Sequence, residues 1–146
     1  MITELTNVNL IKVNLQANNK KEAFEELAEM LFNNERINNK SAFLDDIETR
    51  ESLSVTSMDG IAYPHAKSQA VTNPAIAVGV KREGLEYGDE DGIKPSLFFM
   101  IASPDNGAEH HIYVLQELFE KFSEEFIEEV QNAKDEQQIL NILINS

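Results

Sequence analysis

The sequence predicts an α/β fold in which a mixed β-sheet is flanked by helices on both faces, an α/β/α sandwich. Strand-like apolar segments occur among segments of helical periodicity, and helical segments gather at the C-terminal end. This mixture is typical of a sheet covered by helices. The chain of 146 residues has no internal repeat and no linker-like tract, so residues 1–146 are expected to form one domain.

The N-terminal part supplies one predicted strand and two predicted helices. Val8–Leu15, "VNLIKVNL", alternates loosely and predicts a strand. The segment "NNKKEAFEELAEMLFNN" has a helical apolar stripe with acidic residues opposite. The residues of that stripe are Phe24, Leu27, Met30 and Leu31. A second helix is predicted from near Ser41 to around Ser52. Its clustered apolar residues are Ala42, Phe43, Leu44 and Ile47.

After the second predicted helix the residue composition changes. "SVTSMDGIAYPHAKS" is rich in turn formers and small residues and predicts loop and strand ends. "PAIAVGVKREGLEYG" predicts a strand that runs into a turn, and "PSLFFMIAS" predicts a central strand buried on both faces. Pro104 to Gly107 predict a turn, with a helix from about Ala108. The three acidic helical segments are roughly Glu109–Phe122, Glu124–Ala133 and Glu136–Ile144.

Composition restricts the class of partner. Twenty-six acidic and twelve basic residues give a formal net charge of −14. A field of this sign repels nucleic-acid phosphates and anionic lipid head groups, so neither nucleic acid nor a membrane surface is expected as a partner. A basic protein would be attracted, although acidic faces also serve simply to keep a domain in solution.

The chain has no cysteine, which excludes disulfides, thiolate zinc sites and cysteine nucleophiles. The N-terminus lacks the pattern of a signal peptide, and the longest apolar run, "LFFMIA", is too short to span a bilayer. A soluble cytoplasmic protein without direct membrane insertion is therefore expected.

His65 is the first candidate for chemistry, in "GIAYPHAKS". Pro64 fixes its own φ and favours an extended Tyr63, so the backbone that enters His65 has little freedom. A neutral imidazole is a competent nucleophile near pH 7 and can carry a labile phosphoryl group. The alternative is a turn histidine without a role.

The other two histidines open a predicted helix, in "HHIYVLQEL". On helical spacing His111 lies on the inward stripe with Leu115 and Leu118, whereas His110 lies nearer the flank. His111 is then either a core histidine or a residue that meets His65 and shares a ligand with it. Adjacent helical residues point about 100° apart and rarely bind one ion together, so no metal site is predicted.

A phosphoryl site calls for a guanidinium, because its planar fork matches phosphate oxygens. Arg50 ends the second predicted helix just before the loop that leads to His65; its alternative is a surface pair with Asp46. Hydroxyl and ammonium groups near His65 are further candidates for support of a bound phosphate. These are Thr56, Ser57 and Lys67.

Taken together, the segments resemble a known bacterial family. An Arg-Glu pair near a helix end, a Thr-containing loop, "GIAYPH", an apolar strand and a His-Ile that opens an amphipathic helix follow in order. This order is similar to the fructose/mannitol-type EIIA domain of the sugar phosphotransferase system (PTS), which includes nitrogen-regulatory EIIA homologues. The likeness covers nearly the whole chain. Two departures are Tyr63, where the family often has isoleucine, and Thr56-Ser57, where Thr-Gly is common.

The resemblance implies a phosphocarrier that needs no cofactor. It assigns His65 as the phosphorylated residue and His111 and Arg50 as its active-site partners; His110 matches no functional position. HPr would be the phosphoryl donor, and EIIB, which acts with the membrane component EIIC, would be the acceptor. The alternative is a regulatory protein whose phosphorylation state controls binding to partners. A third reading, an inert structural module, requires the aligned motifs to be coincidence.

Overall fold

The computed structural model describes residues 2–89, 92–106 and 110–146. Helices α1 to α6 span Ile2–Leu5, Lys20–Asn33, Lys40–Glu51, His110–Lys121, Glu124–Gln131 and Glu136–Asn145. Strands β1 to β6 span Ile11–Lys12, Ser57–Met58, Ile61–Ala62, His65–Ser68, Ala75–Val80 and Leu97–Pro104. The predicted turn end at Gly107 and helix start at Ala108 and Glu109 lie outside the described residues.

Strand β6 is the centre of one mixed sheet. It pairs antiparallel with β5, and on its other side it pairs parallel with β3 and then with β4. Strand β1 pairs parallel with β5, and β2 pairs antiparallel with β3. The prediction that "PSLFFMIAS" forms a central buried strand is confirmed, since β6 is buried from Leu97 to Ser103.

The two faces of the sheet are covered by different helices. Alternate residues of β6 point to opposite faces, as the pleat requires. Phe98 and Met100 pack in a core with the apolar sides of α2 and α3, while Phe99 and Ile101 pack in a second core with α4, α5 and α6. The predicted α/β/α sandwich is confirmed.

Side-chain caps account for the starts of four helices. An N-cap side chain accepts a hydrogen bond from the backbone N–H three residues later, which satisfies a donor that the helix itself leaves free. The capping residues are Asn19, Asn39, Ser123 and Asp135. The predicted helices in these regions are confirmed to within a few residues. Within the described residues, no helix combines the length and the apolar character that a membrane crossing requires.

The N-terminal prediction is wrong in part. Val8–Leu15 was expected to be a strand, but Val8–Leu10 form a 3-10 turn, and only Ile11–Lys12 pair with β5. The Asn7 side chain accepts from the backbone N–H of Asn9 and so caps the turn. A local cap of this kind competes with strand pairing. The sequence also gave no signal for the short helix α1.

The segment before the site is a tight hairpin followed by an interrupted strand. Asp59 and Gly60 join β2 to β3 with φ values of 53° and 87°, which suits the Asp-Gly preference of two-residue hairpins. Ser57, at the position where the family often has glycine, lies in β2 and does not have a left-handed backbone. A residue other than glycine therefore causes no strain there. Tyr63 and Pro64 then separate β3 from β4 without a change of register along β6.

Candidate functional site

His65 begins β4, directly after the proline. The pairing of His65 with Ile101 places its side chain on the face of the sheet that α4 covers. Only 7% of the residue is exposed. The Pro64 carbonyl oxygen accepts a hydrogen bond from the Ile101 N–H at 2.9 Å. Pro64 thus takes part in sheet pairing through its carbonyl, although proline has no N–H to donate. The imidazole therefore projects from a fixed backbone.

The two ring nitrogens of His65 have different partners. Nδ1 lies 2.9 Å from the carbonyl oxygen of Tyr63, and a carbonyl can only accept, so Nδ1 carries the proton. Nε2 accepts from the Arg50 Nε–H at 3.2 Å, so Nε2 presents its lone pair. Both contacts agree on one neutral tautomer. The lone pair of that tautomer faces a guanidinium.

Burial lowers the pKa of His65 below the usual value of a histidine, because the charged ring would lose its water. The positive charge of Arg50 and the neighbouring His111 lower the pKa further, against opposing effects of the Tyr63 carbonyl and Glu51. The imidazole is therefore neutral at neutral pH. A neutral ring with one unprotonated nitrogen is the nucleophilic form of histidine.

Next to Arg50 in the chain, Glu51 anchors the end of α3 in a buried polar network. The Glu51 carboxylate accepts from the Thr56 backbone N–H at 3.0 Å and from the Thr56 hydroxyl at 2.6 Å, and it pairs with the Lys20 ammonium at 2.8 Å. The Tyr87 hydroxyl lies 2.9 Å from the Thr56 hydroxyl. Because the Thr56 proton goes to the carboxylate, Tyr87 is the donor in that contact. The network ties α3, α2 and the segment after β5 to one point beside the site.

The same network reaches the residue before Pro64. The Thr56 carbonyl accepts from the Tyr63 N–H at 2.8 Å, and the Tyr63 carbonyl in turn holds the proton of His65 Nδ1. Arg50 itself makes longer contacts of 3.4 Å with the carbonyl and hydroxyl of Ser54. Its guanidinium is thus directed at His65 rather than into a surface pair with Asp46. The hydrogen bonds from Glu51 through Thr56 to Tyr63 therefore reach one partner of the imidazole, while Arg50, the other partner, adjoins Glu51 in the chain.

Aromatic rings line the opposite side of His65. The His111 ring, from the first turn of α4, lies 6.2 Å from the His65 ring with 19° between their planes. The Tyr63 ring lies at the same centroid distance, with a plane angle of 14°. Of the alternatives for His111, the structure realises the one in which it meets His65. His110 lies beside a different cavity, lined also by Arg36 and Asn73.

The three predicted support residues have different environments. Thr56 is fully buried and its hydroxyl is committed to Glu51 and Tyr87, so its contribution is to position the loop. The Ser57 hydroxyl donates to Asp89. Lys67 follows His65 by two residues in β4 and therefore projects from the same face of the sheet. Of the three, Lys67 alone is placed by its strand position on the side of the imidazole.

Two residues of the site had no role in the sequence analysis. Glu51 was quoted only within an Arg-Glu pair, although its spacing of four and eight residues from Ile47 and Phe43 places it on the buried stripe of α3. A carboxylate on such a stripe signals a buried polar network. Tyr63 was noted only for its extended backbone before Pro64 and as a departure from a family pattern. Among the residues that the structure describes, no group of three or more histidine and carboxylate side chains could hold a metal ion.

Comparisons with known proteins point to one family. A family model described as phosphoenolpyruvate-dependent sugar phosphotransferase system, EIIA 2, matches residues 4–146. The fructose-specific EIIABC component of the PTS of Bacillus subtilis is 35% identical over 144 residues, which are 97% of this chain but 23% of that protein. The fructose-specific EIIA component of Haloferax volcanii is 30% identical over 144 residues, 97% of this chain and 94% of that protein.

A solved structure supports the same fold. The crystal structure of nitrogen regulatory protein IIA-Ntr from Neisseria meningitidis superposes with a TM-score of 0.88 at 26% sequence identity. The match covers 97% of this chain and 98% of that one. This chain and that nitrogen regulatory protein therefore share the same fold.

Proposed function

The chain belongs to the EIIA type 2 family of the phosphoenolpyruvate-dependent sugar phosphotransferase system, and from this premise we propose that it is a phosphocarrier that acts through His65. HPr donates a phosphoryl group to His65, and EIIB accepts it for sugar uptake through EIIC. In this proposal residues 1–146 work as one EIIA domain, in the bacterial cytoplasm. The name of the Bacillus relative, an EIIABC component, joins the A, B and C parts in one protein and supports EIIB as the acceptor.

The observation that carries the proposal is the pairing of His65 Nε2 with Arg50. Nε2 holds a lone pair on a ring whose lowered pKa keeps it neutral at pH 7. A guanidinium lies 3.2 Å from that atom, where the oxygens of an arriving phosphoryl group would need a positive partner. Nucleophile and charge stabiliser are thus adjacent before any substrate binds, which is the arrangement that preorganised electrostatic catalysis requires.

In the transfer, one bond to phosphorus forms and one breaks. The Nε2 lone pair forms a bond to phosphorus, the bond from phosphorus to the donor atom of HPr breaks, and that atom takes the electron pair. The proton on Nδ1 stays there throughout and keeps its hydrogen bond to the Tyr63 carbonyl oxygen. As the N–P bond forms, the Arg50 N–H groups exchange Nε2 for phosphoryl oxygens, and His111 contributes from the other side. Lys67, on the same strand face, is proposed as a further cation for the phosphate. No metal or cofactor enters this sequence.

The surface around the site supports a protein donor and acceptor. Large apolar side chains are exposed in the loop after Arg50, in β2 and on α4, close to His65 in the fold. They are Leu53, Val55, Met58 and Phe119, between 38% and 78% exposed. Exposed apolar patches beside a polar site are typical of protein docking surfaces. HPr and EIIB would occupy this patch in turn, since both must reach the same nitrogen.

A regulatory function is the second candidate. The likeness to nitrogen regulatory protein IIA-Ntr, at 26% identity, favours it. The chemistry at His65 would be unchanged, but the phosphorylated and unphosphorylated forms would bind a partner protein with different affinities. The active site alone does not separate the two functions, because both use the same acceptor nitrogen.

Intact-mass spectrometry tests the proposal. The folded protein, incubated at neutral pH with phosphoenolpyruvate, Enzyme I and HPr, is expected to gain one acid-labile phosphoryl group. His65→Ala should gain none, whereas His110→Ala, which changes a histidine outside the site, should gain it at the normal rate. A phosphorylated His65→Ala protein would contradict the assignment of the nucleophile. Lack of acceptance by the folded wild-type protein from several HPr homologues would contradict phosphoryl transfer itself.

A second incubation separates transport from regulation. Phosphorylated protein is purified and mixed with a fructose-type EIIB. Rapid loss of the phosphoryl group to EIIB supports the transport function. Retention of the group, together with a partner that binds only one phosphorylation state, supports the regulatory function.

A further inference from the structure

Tyr63 forms one wall of the site through its side chain as well as its backbone. Its carbonyl fixes the Nδ1 proton of His65 at 2.9 Å. Its ring, which projects from the same face of the sheet, lies 6.2 Å from the imidazole with only 14° between the planes. Nearly parallel rings at this separation make an offset contact that resists rotation of either ring. His65 is thus held by Tyr63 in two independent ways.

The Tyr63 ring is itself anchored to the core. Its edge-to-face partner is Phe119 of α4, at 5.1 Å and 82°. Phe119 contacts Phe122 at 5.9 Å, and Phe122 packs on Phe99 of the central strand β6 at 5.2 Å. A chain of ring contacts therefore leads from the buried sheet to the imidazole. An anchored ring is a firm wall, in contrast to a surface tyrosine that could rotate away.

We propose that the Tyr63 side chain is a positioning residue for His65, because its ring fixes the plane of the imidazole so that Nε2 stays directed at Arg50. This inference rests on the proposed phosphoryl transfer at His65. The ring acts through the orientation of the imidazole and makes no bond to the phosphoryl group. The phenol hydroxyl has no part in the effect.

Burial by the same ring adds a measurable consequence. Loss of water around His65 is the largest cause of its lowered pKa. The charged and titratable groups that face the imidazole are Arg50 and Glu51 from α3 and His111 from α4, with Lys67 on its own strand. A variant without the ring leaves these groups in place and opens the imidazole to solvent. The pKa of His65 should then rise toward the ordinary value of about 6.5.

The test compares three substitutions at one position. Tyr63→Phe keeps the ring, Tyr63→Leu keeps apolar bulk without a ring, and Tyr63→Ala removes both. Two-dimensional NMR of the imidazole nitrogens gives the pKa and tautomer of His65 in the unphosphorylated protein. Steady-state transfer from phosphorylated HPr gives kcat and KM. Thermal unfolding checks that each variant is folded.

Tyr63→Phe should have the same kcat, KM, His65 pKa and tautomer as the wild type. Tyr63→Leu and Tyr63→Ala should lower kcat about tenfold with little change in KM and show a raised His65 pKa, most in the alanine variant. The Nδ1–H tautomer should persist, because the backbone carbonyl that accepts this proton is still present. If Tyr63→Ala does not fold, Tyr63→Leu carries the comparison. A wild-type kcat and pKa in Tyr63→Leu would overturn the inference, as would a change confined to KM, which indicates docking.

The outcomes separate this inference from the proposed function. If the wild type accepts phosphate at His65 and the variants are unchanged, positioning by the ring is wrong and the phosphocarrier stands. If the wild type accepts no phosphate, the phosphocarrier is wrong, and the NMR readings alone then decide whether the ring holds the imidazole.

Discussion

His65 makes different kinds of contact with the helices on its two sides. On the α3 side, Arg50 donates to Nε2, and behind it Glu51 collects hydrogen bonds from Thr56 and an ion pair from Lys20. On the α4 side the contacts are between rings, chiefly with His111 at a centroid distance of 6.2 Å. One side is polar and directional. The other side is aromatic and depends on area and orientation.

The difference shows which side controls the reacting atom. A hydrogen bond fixes a donor and an acceptor within a few tenths of an ångström, and a buried group that loses its partner costs about 1–3 kcal/mol. Ring contacts are weaker, about 0.5–1.5 kcal/mol beyond the area that they bury. We therefore expect the polar side to dominate the energetics of transfer and of folding, and the aromatic side to refine them.

Loss of Arg50 should have the largest effect on transfer. Arg50→Ala removes the cation that faces Nε2 and the developing charge on the phosphoryl oxygens. We expect a fall of about 100-fold in kcat/KM for transfer from HPr, as for the loss of one preorganised donor at an anionic transition state. The pKa of His65 should rise, because Arg50 is among the causes that lower it.

Arg50→Lys is the matched variant, since it keeps the charge and loses the planar fork. It should recover part of the rate. Rates measured by quenched flow, with His65 titrated by NMR, make the comparison. An Arg50→Ala protein that transfers as fast as the wild type would show that the polar side does not control the reaction.

Substitution of Glu51 should have its main effect on stability. Glu51→Gln leaves the Lys20 ammonium without its carboxylate and replaces an acceptor with an amide that faces the Thr56 N–H and hydroxyl. We expect a loss of about 1–3 kcal/mol in the free energy of unfolding, measured in urea. Transfer should also slow, because Glu51 anchors the end of α3 next to Arg50.

Glu48→Gln provides the control, since Glu48 is an exposed residue of the same helix. It should change the free energy of unfolding by less than about 0.5 kcal/mol. Equal effects of the two substitutions would mean that the buried network contributes nothing beyond removal of a negative charge.

His111 gives the smallest predicted effect and tests the aromatic side. His111→Ala should fold normally and lower the transfer rate about tenfold, the size of one modest hydrogen bond or electrostatic contact. The neighbouring His110→Ala should leave the rate within about twofold, because His110 lies beside a separate cavity. A loss at His111 that exceeds the loss at Arg50 would reverse the ranking of the two sides.

Periodicity predicted most of the elements and failed where local caps or long-range contacts decide. Helix α2 and strand β6 follow from their apolar patterns, because each buries its apolar face or faces in a core. Of the strand predicted for Val8–Leu15, only Ile11–Lys12 form a strand, because the Asn7 side chain caps a 3-10 turn at Val8–Leu10. Pattern alone also did not predict the register of the two-residue strands, in which β2 pairs with β3 and β3 pairs with the distant β6.

The sequence likewise predicted some features of the site and not others. Sequence marked His65, because a proline before a histidine limits the backbone, and it marked Arg50 at the end of its helix. It could not show that the Arg50 guanidinium reaches Nε2, nor that Tyr87 donates to Thr56 across a separation of 31 residues. Such contacts depend on how the two helical layers close on the sheet, which no local spacing encodes.

By itself, therefore, the sequence determined the class of fold and the residue types available for phosphoryl chemistry, because both follow from local pattern and side-chain chemistry. Only the tertiary structure decided which nitrogen of His65 faces the Arg50 guanidinium, what lowers the pKa of His65 and which rings lie beside it. Those properties arise from partners that β4 meets from α3 and α4. A tautomer and a pKa belong to an environment, and the environment exists only when the chain is folded.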